Sequence, residues 1–144
     1  MKFNEQLLIL KGFTLTLFIA LTSCSNDGLA DYTVNGTVTD GQTSKPIKNI
    51  RVIRKSTEYM LYPDTTYTDS IGQYSFEFVD YYDKKASFSL KAEDIDLSAN
   101  LGTFITQDVK FSFSSSDWDQ NSSLKNYKGE AYKTVNIILS KWQQ

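Results

Sequence analysis

The chain has 144 residues, room for one domain, and its 40% hydrophobic and 22% charged residues are the balance of a folded globular protein. It has no histidine and a single cysteine, which removes the commonest general base, internal disulfides and cysteine-rich metal sites. Fifteen basic and 17 acidic residues, with no basic cluster, argue against nucleic acid as a partner, and no glycine-rich phosphate loop, G-x-S-x-G elbow or H-E-x-x-H motif occurs.

The first thirty residues read as an address. Lys2 and Lys11 stand against Glu5 in MKFNEQLLILK, and an apolar run follows from Gly12 to Thr22. That run is the length of a signal-peptide core and too short to cross a bilayer comfortably. It ends in Leu21-Thr22-Ser23-Cys24, an aliphatic residue, two small ones and cysteine, which resembles the lipobox of bacterial lipoproteins. The resemblance implies a signal peptide over residues 1–23, cleavage before Cys24, a diacylglyceryl group on its thiol and an acylated new amino terminus. Several chains at roughly 0.8 kcal/mol per buried CH₂ give durable attachment where one chain is marginal. Ser25 after the cysteine, by resemblance to the Gram-negative sorting rule, favours the outer membrane, and Asp27 leaves the periplasmic face or the cell surface open. Residues 24–30 are then a lipidated cysteine and tether, and residues 31–142 a single β-sandwich domain.

From Asp31 the pattern has a period of two. DYTVNGTVTD alternates Tyr32, Val34, Gly36 and Val38 with polar residues, as a half-buried strand does. NIRVIRK puts Ile50 and Val52 on one face. TTYTD and QYSFEFVD flank Ser70-Ile71-Gly72, a hairpin signal with Gly72 placed for positive φ and Asp69 as its cap. Tyr74, Phe76 and Phe78 point inward. ASFSLKAED aligns Phe88, Leu90 and Ala92, DVKFSFS aligns Val109, Phe111 and Phe113, and YKTVNIILSKW aligns Val135, Ile137 and Leu139 with Ile138 opposite. Seven short strands predict an all-β, seven-stranded antiparallel Greek-key sandwich, transthyretin-like or immunoglobulin-like.

Val34, Gly36, Val38, Asp40, Pro46, Ile47, Val52, Thr68, Asp69, Gly72, Tyr74 and Phe76 follow the recurring pattern V-x-G-x-V-x-D, P-I/L-x-x-A-x-V, T-D-x-x-G-x-Y-x-F. These residues resemble the carboxypeptidase regulatory-like domain, a transthyretin-like sandwich, with Ile50 where alanine is usual. They are positions of fold, and they cover under half of the mature chain. Asp94, Asp96, Asn100, Gly102 and Phe104 resemble a second pattern, D-x-D-G-x-x-N-G-G-x-F, found in a group of lipoproteins associated with radical-SAM genes. Leu97 and Leu101 replace two of its glycines, and the resemblance implies no activity.

Two segments carry candidate ligand chemistry. Asp94, Asp96, Ser98 and Asn100 place oxygens at every second position, the first half of an EF-hand spacing, and would suit Ca²⁺. Ile105 and Ala99 stand where that loop needs glutamate and glycine, and a solvated acidic turn is the plainer reading. Trp118, between Asp117 and Asp119, together with Tyr81, Tyr82 and Tyr127, would offer rings for stacking on a glycan; a tryptophan capping the core is the alternative. Nothing singles out a buried carboxylate pair for catalysis. The expectation is a lipid-anchored envelope protein acting as an interaction or accessory module, partnered by an envelope protein or a glycan, without a cofactor and not an enzyme. A calcium- or glycan-binding surface lipoprotein is the alternative.

Overall fold

The computed structural model describes residues 28–56, 64–97, 99, 103–119 and 127–142. Cys24, Ser98 and Asn100 lie outside them. The described strands are β1 (Leu29–Asp40), β2 (Ile50–Ser56), β3 (Asp64–Tyr67), β4 (Gln73–Tyr81), β5 (Ser87–Asp94), β6 (Gln107–Ser112), β7 (Trp118–Asp119), β8 (Tyr127–Thr134) and β9 (Ile137–Leu139), with a 3₁₀ turn at Ser115–Asp117. They form two sheets, in the orders β4-β1-β8-β7, with β9 also on β1, and β3-β2-β5-β6. The all-β sandwich predicted from alternation is therefore what forms. β1 begins at Leu29, two residues inside the predicted tether.

Three details differ from the predicted arrangement. There are nine described strands rather than seven, because Trp118–Asp119 adds a short rung and the last strand divides into β8 and β9. β1 pairs with both of these in parallel, so the sandwich is not purely antiparallel. The strands flanking Ser70-Ile71-Gly72 do not pair with each other: β3 joins β2 and β4 joins β1. The turn itself forms as the residues demand. Gly72 has φ 73°, and the Asp69 carboxylate accepts the N–H groups of Ile71 (3.0 Å) and Gln73 (2.8 Å). It reverses the chain from one sheet to the other instead of closing a ladder.

The break between β8 and β9 has a visible cause. Val135 N–H donates to the Asn35 carbonyl at 2.8 Å, and the Val135 carbonyl accepts the Tyr74 hydroxyl at 2.5 Å. That carbonyl lies over Gly36 and leaves no room there for a side chain. Thr37 N–H is satisfied by the Asn136 side chain at 3.0 Å, so the ladder is interrupted without stranding a donor.

Between the sheets, Tyr32 is the hub of an aromatic core. Its ring lies 5.2 Å from Phe78 and Phe113, 5.3 Å from Trp118 and 5.7 Å from Phe88. Such edge and offset contacts add to the burial of large rings. Thr68 and Asp40, two polar positions of the recurring pattern, are buried and fully used. Thr68 Oγ1 donates to the Ile47 carbonyl at 2.7 Å and accepts Ile50 N–H at 2.9 Å. Asp40 accepts Gln42 N–H at 2.8 Å and faces Lys141 at 3.4 Å.

The hydrogen bond from Gln42, with the Thr43 and Lys141 groups, holds the Asp40 carboxyl below its ordinary value. A carboxyl lowered in the folded state stabilises the fold above its unfolded value, about pH 4, and that stabilisation is lost as pH falls through the folded value. Thermal melts are expected to drop on acidification below about pH 4, with a smaller drop for Asp40→Asn. Equal pH slopes for the two proteins would remove Asp40 from the account.

Candidate functional site

The outer face of the first sheet follows directly from strand parity. Even residues of β1, Ala30 to Val38, are buried, so Leu29, Asp31, Thr33, Asn35 and Thr37 face out. Register then sets their neighbours. Leu29 lies between Tyr81 and Tyr127, Asp31 between Val79 and Glu130, Thr33 between Glu77 and Tyr132, and Asn35 between Ser75 and Thr134. Thr37 faces Gln73 and takes the Asn136 side chain on its other side. These rows run about 27 Å along the sheet, from an aromatic and aliphatic end to an amide and hydroxyl end. Tyr81, Val79 and Tyr132 are 60%, 61% and 50% exposed, an unusual concentration of large side chains in water.

Two grooves lie on this face. One, of about 530 Å³, is lined by Asp31, Thr33, Glu77, Val79, Glu130 and Tyr132. The other, of about 690 Å³, is lined by Asn35, Thr37, Gln73, Ser75, Thr134 and Asn136 and reaches over to Thr66 and Tyr67 of β3 and to Asp69 in the turn that follows.

Carboxylates mark the centre of the face. Asp31, Glu130 and Asp119 are direct neighbours across β1, β8 and β7, an arrangement that like charges disfavour. Tyrosine hydroxyls offset part of that repulsion. Tyr127 donates to Asp31 at 2.8 Å and Tyr132 donates to Glu130. The bond to Glu130 pushes the Tyr132 hydroxyl above its ordinary pKa, and burial together with the bond to Asp31 does the same at Tyr127. Both rings therefore stay protonated near neutrality, and the face accepts hydrogen bonds while repelling anions.

Of the predicted ring platform, Tyr81 and Tyr127 come together across Leu29. Trp118 and Tyr82 do not join them. Trp118 is 9% exposed and its indole packs against Tyr82 at 4.7 Å, as well as against Tyr32 and Phe113. The physical reason is that the largest ring of a short edge strand closes the end of an aromatic core. Tyr132, Val79, Glu130 and Asn35 were missed as site residues. Their outward parity was readable, but their grouping depends on which strands are neighbours.

The predicted calcium donors are partly committed to protein groups. Asp94 Oδ2 accepts Phe104 N–H at 3.0 Å, and Asp96 Oδ2 accepts the Asn49 amide at 2.9 Å. Among the described residues Asp94 Oδ1 is buried without a hydrogen-bond partner. Among the described residues no group of three or more acidic or cysteine side chains is placed to hold a metal ion.

No protein-family model matches the chain, and no curated protein matches it. Solved structures do match in fold. The chain is similar to 3-chlorocatechol 1,2-dioxygenase from Rhodococcus opacus 1CP, with a TM-score of 0.55 and 10% identity, covering 84% of this chain and 62% of that one. It is similar to catechol 1,2-dioxygenase from Acinetobacter sp. ADP1, with a TM-score of 0.54 and 10% identity over 85% and 55% of the two chains. Chlorocatechol 1,2-dioxygenase from Pseudomonas putida gives a TM-score of 0.53 at 11% identity, over 83% and 63%. The chain thus spans less than two thirds of each of these proteins. The likeness is one of fold, and it assigns this chain no reaction. It does correct one expectation. The chain was expected not to be an enzyme because it lacks histidine and has only one cysteine, yet structures sharing its fold are enzymes, so that exclusion does not stand.

Proposed function

We propose that this protein is a lipid-anchored module of the bacterial outer membrane that binds a neutral or amino-bearing glycan along the outer face of its first sheet. One observation carries the binding half: Tyr81, Tyr127 and Tyr132 share a single face with Asp31, Glu130, Asn35 and Asn136. Tyrosine rings supply flat apolar surface for the C–H faces of sugars, and the carboxylates and amides supply directed partners for hydroxyls. Three adjacent carboxylates disfavour an anionic ligand. The anchoring half rests on the Leu21-Thr22-Ser23-Cys24 motif. Residues 24–28 reach at most about 18 Å when extended, which would hold the sandwich beside its membrane.

The test uses the full chain expressed in a Gram-negative host. Metabolic labelling with a clickable fatty acid is expected to mark the wild type and to vanish in Cys24→Ser. A glycan array with the detergent-solubilised protein is expected to give neutral or amino-sugar hits, weakened about tenfold by Tyr132→Ala and by Tyr81→Ala. Labelling that survives Cys24→Ser removes the anchor. A blank array, or hits that neither tyrosine variant weakens, removes the glycan face.

A further inference from the structure

Among the described residues β4 and β6 are the longer edge strands of the two sheets, opposite the shorter edges β7 and β3, and the charges of β4 and β6 match each other. In β1, Val38 N–H donates to the Gly72 carbonyl on the β4 side. Alternation then turns the backbone groups of Gly36, Val34 and Tyr32 the same way, where they meet Tyr74, Phe76 and Phe78. The intervening residues of β4, Ser75, Glu77 and Val79, aim their N–H and C=O groups away from the sheet, and all three are exposed. Both ends of this edge are closed: Asp69 bonds Gln73 at one end, and the Tyr32 hydroxyl donates to the Tyr81 carbonyl at the other.

β6 has the same property. Phe113 N–H donates to the Ala86 carbonyl, and the register carries that parity to Phe111 and Val109. Asp108, Lys110 and Ser112 therefore turn their backbone groups outward, and they too are exposed. The Gln107 side chain reaches the Asp108 carbonyl only at 3.4 Å. Within the sandwich the two edges lie on opposite sides. β3 sits beside β4 across the short turn, whereas Phe113, just after β6, packs near Trp118 at the far end of the first sheet.

We propose that these edges are the two halves of a head-to-tail contact between copies of this chain, with β4 of one copy pairing antiparallel to β6 of the next. The register that joins all three outward residues places Glu77 opposite Lys110, Ser75 opposite Ser112 and Val79 opposite Asp108. The inward neighbours then match Phe76 with Phe111 and Phe78 with Val109, so the apolar layer continues across the junction. Among the described residues neither Glu77 nor Lys110 has an ion-pair partner within its own chain.

Self-pairing is disfavoured at both edges. Joining all three outward residues of β4 to those of a second β4 sets Glu77 on Glu77, and the same register between two copies of β6 sets Lys110 on Lys110. Like charges directly opposite oppose pairing, and a central charge is a known guard on an open edge. Only the unlike pairing turns both guards into an attraction. Because the two edges differ and lie on opposite sides, the contact is heterologous and propagates as a chain or closes as a ring.

Glu77 and Lys110 point from opposite outer faces of one sandwich, whose sheets are about 10 Å apart, so a zero-length link between them must join two molecules. Carbodiimide treatment of the full chain in detergent is expected to give multimers whose linked peptides join Glu77 to Lys110. Analytical ultracentrifugation is expected to show Glu77→Lys and Lys110→Glu each weakening association about tenfold, with the double variant restored. Circular dichroism melts of the variants guard against misfolding, since both positions are exposed. A monomer at every concentration, links that join β4 to β4, or a double variant as weak as the singles overturns the proposal.

Discussion

Gly36→Ala is expected to lower stability by about 4 kcal/mol, a melting shift of about 15–25 °C. A methyl group at this position would sit 1.9 Å from the Val135 carbonyl oxygen, 2.7 Å from its carbon and 2.9 Å from the Tyr74 hydroxyl. The first two contacts are backbone, so relief requires β1 to part from the β8–β9 junction. That movement would also stretch the Tyr74 bond to Val135 and the Val135 bond to Asn35. Overpacking a tight core ordinarily costs about 1–3 kcal/mol, and a backbone collision lies beyond that range. Gly41→Ala is the control. There the nearest atoms are the Ile138 methyl at 3.1 Å and the Leu139 oxygen at 3.4 Å, so a change within about 1 kcal/mol is expected. If Gly36→Ala melts within a few degrees of the wild type, the close approach of Val135 to β1 is not as described.

Arg54→Met is expected to raise stability by about 1–3 kcal/mol, because it replaces a poorly satisfied buried charge by apolar volume. Arg54 is 1% exposed, on the inner face of β2. Its guanidinium carbon stands 3.5 Å from the centre of the Phe78 ring, and its nearest carboxylate oxygen, on Asp64, is 3.6 Å from Nη2. Nε and Nη1 are buried with no hydrogen-bond partner among the described residues. Burial pulls the guanidinium below its ordinary pKa, while Asp64 and Asp80 hold it up. The cation–π contact offsets part of the cost, about 2 kcal/mol when desolvated, which is less than two orphaned donors and a buried charge require. Arg54→Ala separates charge from volume: it removes the same charge but leaves a hole, and a loss of about 2–3 kcal/mol is expected. Urea midpoints for the three proteins decide the matter, and a destabilised Arg54→Met would mean that the charge is better compensated than these contacts indicate.

Alternation alone was enough to assign inward and outward residues along nearly every strand. Tyr32, Val34, Val38, Phe76, Phe88, Leu90, Phe113, Ile137 and Leu139 are buried as predicted, and Ile138 faces water. Asp69 and Gly72 likewise announced their turn, since one caps it and the other takes its positive φ. Arg54 shows the strength of the pattern and its limit. Parity along β2 puts it inside, where its charge argues for the surface, and parity prevails because a one-residue slip would expose Ile50 and Val52.

What alternation does not contain is neighbourhood. It reports which side of its own strand a residue occupies, and that is a local property of a pleated chain. Which strands lie side by side depends on contacts between distant segments, and those decided that β3 leaves β4 for β2, that β1 takes β8 and β9 in parallel, and that Trp118 closes the core. The fold class and the turns were therefore determined by the sequence itself. The tyrosine and carboxylate face, and the two charged edges at opposite sides of the sandwich, exist only through the tertiary pairing that brings their rows together.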